Sequence, residues 1–234
     1  VDKTSAPRAQ LGDRNRVFLL VSNIYPAILG TMIWELISQI PTDPIAWIAT
    51  LLIVSHFTLD LLYLKLNLDF YNAEDDFRYG WLLFLVDVAI VALIRLAFGT
   101  IPALADSRHA IVNPITCFAV IYVLYVTWEY LYRAMNRAEK RSPDSSTTHY
   151  WYLAAWFAIC TATYSASILA NLPAWIHTAT VIGFLLGIAA ACAELYWSVF
   201  LAVNDRKATQ DKRADAAPER TAIIPTPQEE GAAP

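Results

Sequence analysis

The sequence predicts an all-α integral membrane protein, a bundle of six transmembrane helices with a polar interior. Three observations carry that prediction. Charged residues make up only 16% of the chain and hydrophobic ones 57%, whereas a soluble domain carries about 25% charged residues. The charges are also segregated: from Tyr150 to Ala193 there is no Lys, Arg, Asp or Glu, a run long enough for two spans of about 20 residues each. Finally, polar or proline-containing turns divide the apolar runs. The net charge of −4 gives no reason to expect a nucleic-acid partner; the partner expected is the lipid bilayer. Cys117, Cys160 and Cys192 fall inside apolar runs at different depths, without CxxC or Cys/His spacing, and read as small buried hydrophobes.

Residues 1–16 are polar and basic without periodicity and read as a cytosolic segment. The apolar run from Val17 is too long for a signal-peptide core and is expected to be retained as span 1, about 17–39. Pro26 should kink it by removing a backbone hydrogen bond, and it carries Asn23 and Glu35. Pro41-Thr42-Asp43-Pro44 is a tight turn by its proline and Asx content. Span 2 follows at about 44–66 with His56 near its centre and Asp60 a turn further on, and a polar loop from Asn67 to Phe77 leads to span 3. Span 3, about 79–99, holds Asp87 and Arg95; the loop from Phe98 to Asn113 holds Asp106, Arg108 and His109. Span 4, about 114–134, contains Glu129, and a basic loop from Arg133 to His149 follows. Span 5, about 150–170, is uncharged but rich in hydroxyls. Asn171-Leu172-Pro173 turns the chain into span 6, about 174–203, with His177 and Glu194. The tail, 204–234, is rich in Ala, Pro and charges and is expected to be a disordered cytosolic segment.

Fifteen of the seventeen Lys and Arg residues fall on one side of this arrangement; Arg95 and Arg108 are the two that do not. The positive-inside rule therefore expects both termini in the cytosol. Trp47 and Trp175 then mark outer ends, and Trp81, Tyr150, Trp151, Tyr152 and Trp197 inner ends, as an aromatic belt would.

With spans assigned, depth follows from the ~1.5 Å rise per residue. Glu35 and Arg95 both lie ~9–10 Å to the outer side of the midplane, which makes them the natural structural ion pair between spans 1 and 3. His56 and Asp87 lie near the midplane, while Asp60, Glu129 and Glu194 cluster to the inner side. An ionisable group at such depth costs at least ~2.5 kcal/mol and is a functional candidate for that reason. His56 and Asp60, four apart, share a helix face. They admit three readings: a hydrogen-bonded structural pair, a proton-handling pair, or a metal site completed by Asp87, Glu129 or Glu194. Tyr122, Tyr125, Glu129, Tyr132 and Arg133 share one face of span 4, and the phenols need partners, which favours an inward polar cavity. Gly183 and Gly187 form a GxxxG face for close helix approach, inside the bundle or in a homo-oligomer. Trp-Glu occurs at 34–35 and at 128–129, in the first span of each three-span half, a faint sign of a 3+3 inverted repeat.

These residues favour a proton- or cation-coupled transporter or channel-like protein, with His56, Asp60, Asp87, Glu129 and Glu194 handling protons or a cation. Carboxylates sharing a low-dielectric site cannot all be ionised, which gives alternate protonation states a reason to exist. Trp128-Glu129-Tyr130-Leu131-Tyr132 resembles the Trp-Glu-x-x-Tyr motif of small integral-membrane terpene cyclases. Buried acids can also serve as general acids, which with that resemblance over five residues gives an alternative: a membrane-embedded enzyme acting on a lipid or prenyl-type substrate, with Glu129, Glu194 and Asp87 as candidate acids. A third alternative is an accessory subunit whose acids join helices. No Walker A, Rossmann, HExxH or selectivity-filter motif is present, and no cofactor is evident.

Overall fold

The computed structural model describes residues 16, 18–72, 80–104, 112–135 and 146–221. Six helices in it are long and apolar enough to cross a membrane, and no strand occurs among the described residues. We name them α1 (Tyr25–Ser38), α2 (Pro44–Asn72), α3 (Trp81–Gly99), α4 (Pro114–Met135), α5 (Ser146–Leu169) and α6 (Ala174–Thr221). Leucines and isoleucines in mid-helix lie on the outside of the bundle, Ile159 at 61% and Leu186 at 63% exposure. That is the surface expected of a protein whose solvent is lipid. The end with the turns at residues 39–43 and 170–173 is called upper below.

The helices form a ring, α2–α6–α5–α4–α3, in which α2 and α3 approach each other least closely, and α1 packs against both of them. Two polar contacts pin α1 at different heights. Tyr25 Oη donates to Asp60 of α2 at 2.7 Å, and Arg95 of α3 donates to Glu35 at 2.5 Å. A π-helical turn, Leu20–Ile24, precedes α1, and the Tyr25 N–H bonds back to Leu20 O across five residues. This wider turn brings Leu20 onto the face of Tyr25, and both are buried. The backbone thus departs from α geometry just ahead of Pro26, where a proline kink is expected.

Sequence signals set the turns. Asp43 Oδ2 accepts from Ala46 N–H at 2.9 Å, capping α2, with Pro44 as its first residue. Asn171 takes a left-handed backbone, φ 49°, and closes the α5–α6 turn, with Leu172 N–H bonding Ser167 O at 3.0 Å. Asn113 caps α4 through its side chain to Thr116 N–H at 3.0 Å, and it is wholly buried. The ring of Phe118, only one turn into α4, meets that of His56, which lies ~18 Å along α2 from its start. So α4 begins well below the level at which α2 begins. The 3₁₀ turn Ile101–Leu104 fills part of that space, with Ile101 and Leu104 buried. Asp106, Arg108 and His109 lie outside the described residues.

Two features differ from the sequence reading. α2 runs on to Asn72, past the expected exit at residue 66 and into the stretch read as a loop. α6 runs to Thr221, so residues 204–221 are helical where a disordered tail was expected. Arg206, Lys207, Ala208 and Gln210 are strong helix formers in the first turns of this stretch, and they continue a helix already nucleated. Residues 222–234, like 1–15, lie outside the described residues. The Gly183/Gly187 face, expected to meet a helix inside the bundle or in a homo-oligomer, meets α5 of the same chain. Trp156 of α5 lies across it, donating its indole N–H to Gly183 O at 3.1 Å, and a Cβ on Gly187 would come within 2.7 Å of that ring.

Candidate functional site

The polar interior is built from α1, α2, α4 and α5. His56 has no exposed surface and contacts three rings of α4: Phe118 edge-on at 5.4 Å, Tyr122 at 6.1 Å and Tyr125 at 6.4 Å between centroids. Its Nε2 lies 3.1 Å from Tyr122 Oη, while Nδ1 has no hydrogen-bond partner among the described residues. One turn below, buried Asp60 accepts from Tyr25 Oη. The Tyr125 hydroxyl faces Asp60 closely enough to act on its carboxyl, yet outside ordinary hydrogen-bond geometry, and it too is buried without a partner. His56 and Asp60 share a face as expected, but each binds a phenol from another helix and they do not bond each other.

Tyr150 of α5 stacks on Tyr125 at 5.4 Å and 15°. It turns inward and so belongs to this cluster, not to an interfacial belt. Asp60, Glu129 and Glu194 all lie close enough to Tyr150 for their charges to act on its hydroxyl. Glu129 is also bonded by Arg133 of its own helix at 2.7 Å. The residue that the cyclase resemblance would make an acid is thus ion-paired. Asp87 is buried but sits on the α3–α4 seam, accepting from Trp128 Nε1 at 3.2 Å, apart from the His56–Asp60 face. Among the described residues, no group of three or more His, Cys, Asp or Glu side chains could hold a metal ion. The metal reading of His56 and Asp60 therefore gains no further ligand from Asp87, Glu129 or Glu194.

Glu35 and Arg95 meet as their depths require, with side-chain exposures of 31% and 33%. They are not sealed, because Glu35 lines a cavity of about 600 Å³ at the upper end. This vestibule lies between the ends of α1, α2, α3 and α6, and Thr50 is the lining residue furthest along α2. It does not reach the buried cluster: His56 lies ~9 Å further along α2, with fully buried Ile53 between.

Two parts of this interior escaped the sequence reading. Tyr25 was passed over while Asn23 was singled out, yet Asn23 is exposed and Tyr25 is 2% exposed. The inward spacing Tyr25, Ile28, Leu29, Met32, Leu36 carries the signal that would have placed it. The vestibule had no such signal, since its lining comes from four helix ends far apart in sequence. Trp34 and Trp128 have unlike surroundings, the first 72% exposed and the second bonded to Asp87. Comparison with protein families, curated proteins and solved structures found no match.

Proposed function

We propose that this polytopic membrane protein is a proton- or cation-coupled transporter or channel-like protein with both termini in the cytosol, and that His56 and Asp60 are its proton-handling groups. The observation that carries the reading is the buried succession Tyr25–Asp60, Tyr125 and His56–Tyr122. A hydroxyl can donate or accept, so a proton arriving at or leaving Asp60 or His56 is accommodated by turning a phenol, without moving a helix. Two buried polar atoms stand uncommitted beside these bonds, His56 Nδ1 and Tyr125 Oη. A purely structural network leaves few such atoms, because each costs about 1–3 kcal/mol. Glu129 and Glu194, further toward the lower end of α4 and α6, supply acceptors between this pair and that end of the bundle. Asp87 takes a supporting place on the α3–α4 seam. The cytosolic placement of the termini rests on the distribution of Lys and Arg.

The test is proton flux into liposomes carrying the purified protein and an entrapped pH-sensitive dye, driven by a potassium diffusion potential. Wild type should carry protons above the empty-liposome rate. Asp60→Asn and His56→Gln should fall to that rate while melting as cooperatively as wild type in detergent. Flux in Asp60→Asn equal to wild type would take this carboxyl out of the mechanism. A wild type without flux, across several lipid compositions, would end the transport reading.

A further inference from the structure

We propose that the upper vestibule is a binding site for a small amphipathic organic cation, an aliphatic or aromatic monoamine, which gives the proposed transporter a substrate class and rests on that reading. At about 600 Å³ the cavity has the size of a small-molecule site. Its chemistry is asymmetric. Two carboxylates, Glu35 and Asp43, line it, and among the described residues neither Lys nor Arg does. Arg95 offsets Glu35 alone, reaching it from beside Gly99. Asp43 spends one oxygen on the α2 cap and makes no ion pair among the described residues, so the lining carries a net negative charge.

One further lining group adds an acceptor. His177 approaches Leu104 O with Nε2 at 3.2 Å. A carbonyl can only accept, so Nε2 carries the proton and Nδ1 of the neutral ring is an acceptor. The wall also carries Gln39, Thr42, Thr50 and Thr178, and its apolar part includes Ile40, Ile45, Phe98 and Val181. A ligand that satisfies this wall has one ammonium group for the Glu35–Asp43 side and a hydrocarbon body for the other. A free metal ion would leave the apolar wall unused, and an anion would meet Asp43.

Three probes of nearly equal shape and different charge test this: benzylammonium, benzyl alcohol and benzoate. Each is titrated calorimetrically into the protein in zwitterionic nanodiscs, with empty nanodiscs as the control for partition into lipid. Benzylammonium should bind saturably at one site per chain, benzyl alcohol more weakly and benzoate not at all. Asp43→Asn keeps the helix cap and should weaken benzylammonium roughly tenfold, the effect of about 1.4 kcal/mol of lost charge interaction. Thr178→Trp, on an exposed lining position, should abolish binding without lowering the melting temperature. Equal binding of the three probes, a preference for benzoate, no saturable binding above empty discs, or wild-type affinity in both variants would each overturn the proposal. Binding needs no transport: saturable binding without proton flux keeps the site and removes the transporter, and flux without binding does the reverse.

Discussion

Arg95 is held by a partner that is itself only partly shielded, and this sets what the pair contributes. Removing one member of a sealed pair costs about 3–5 kcal/mol, whereas an exposed pair contributes about 0–1 kcal/mol. With both side chains about a third exposed and Glu35 on the vestibule, Glu35→Gln should destabilise the bundle by about 1–2 kcal/mol, read as a lower melting temperature in detergent. A mutant that melts like wild type would show that Arg95 finds water or another acceptor equally well. Depth arithmetic found this pair because Arg95 is the one basic residue well inside the spans, so few partners were available to it. The same arithmetic put Asp87 at the height of His56, which is less than a contact. Height along a helix does not give the direction in which a side chain leaves it, and Asp87 leaves α3 toward Trp128.

At the level of the helix, α5 and α6 show how close packing is purchased. Gly187 lets the Trp156 indole lie directly on the α6 backbone, where its N–H reaches Gly183 O. Gly187→Ala would place a methyl group 2.7 Å from that ring and 3.0 Å from Phe157. Trp156, partly exposed to lipid, must swing away and lose its bond. We expect a loss of about 1–3 kcal/mol, the usual range for overpacking, seen in thermal melts, and partial recovery in the double variant with Trp156→Phe. No recovery would place the clash at Phe157. The glycine spacing was readable as a close-approach face. What approaches was not, because Trp156 is 31 residues from Gly187 in the chain and nothing local links them.

For the whole molecule, hydropathy and turn residues made the spans legible, since a bilayer demands long apolar helices and punishes every break. The ring order and the wedged position of α1 were not legible, because helices in lipid associate through shape and scattered polar contacts, not through an amphipathic pattern. The positive-inside argument adds a direction that can be checked. A membrane-impermeant thiol reagent applied to intact cells, with the native cysteines replaced by Ala, should label Asp43→Cys and leave Asn204→Cys unlabelled until the membrane is opened. Labelling of Asn204→Cys from outside would invert the orientation, and with it the side from which the vestibule is reached.

The wide turn ahead of Pro26 has a consequence for how this chain tolerates changes of length. A π-turn is what one surplus residue leaves in an otherwise regular helix. Removing exposed Asn23 should let the segment relax to α geometry with Leu20 four places before Tyr25, still on the inward face. Flux and melting should then stay close to wild type. Removing Gly30 instead, which also stands in open space, rotates everything upstream by ~100° relative to Glu35. Either Tyr25 then loses Asp60 or Glu35 loses Arg95, and the variant should melt earlier. Two single-residue deletions seven positions apart in one helix should therefore have opposite fates, the harmless one marking where the helix already holds a residue to spare.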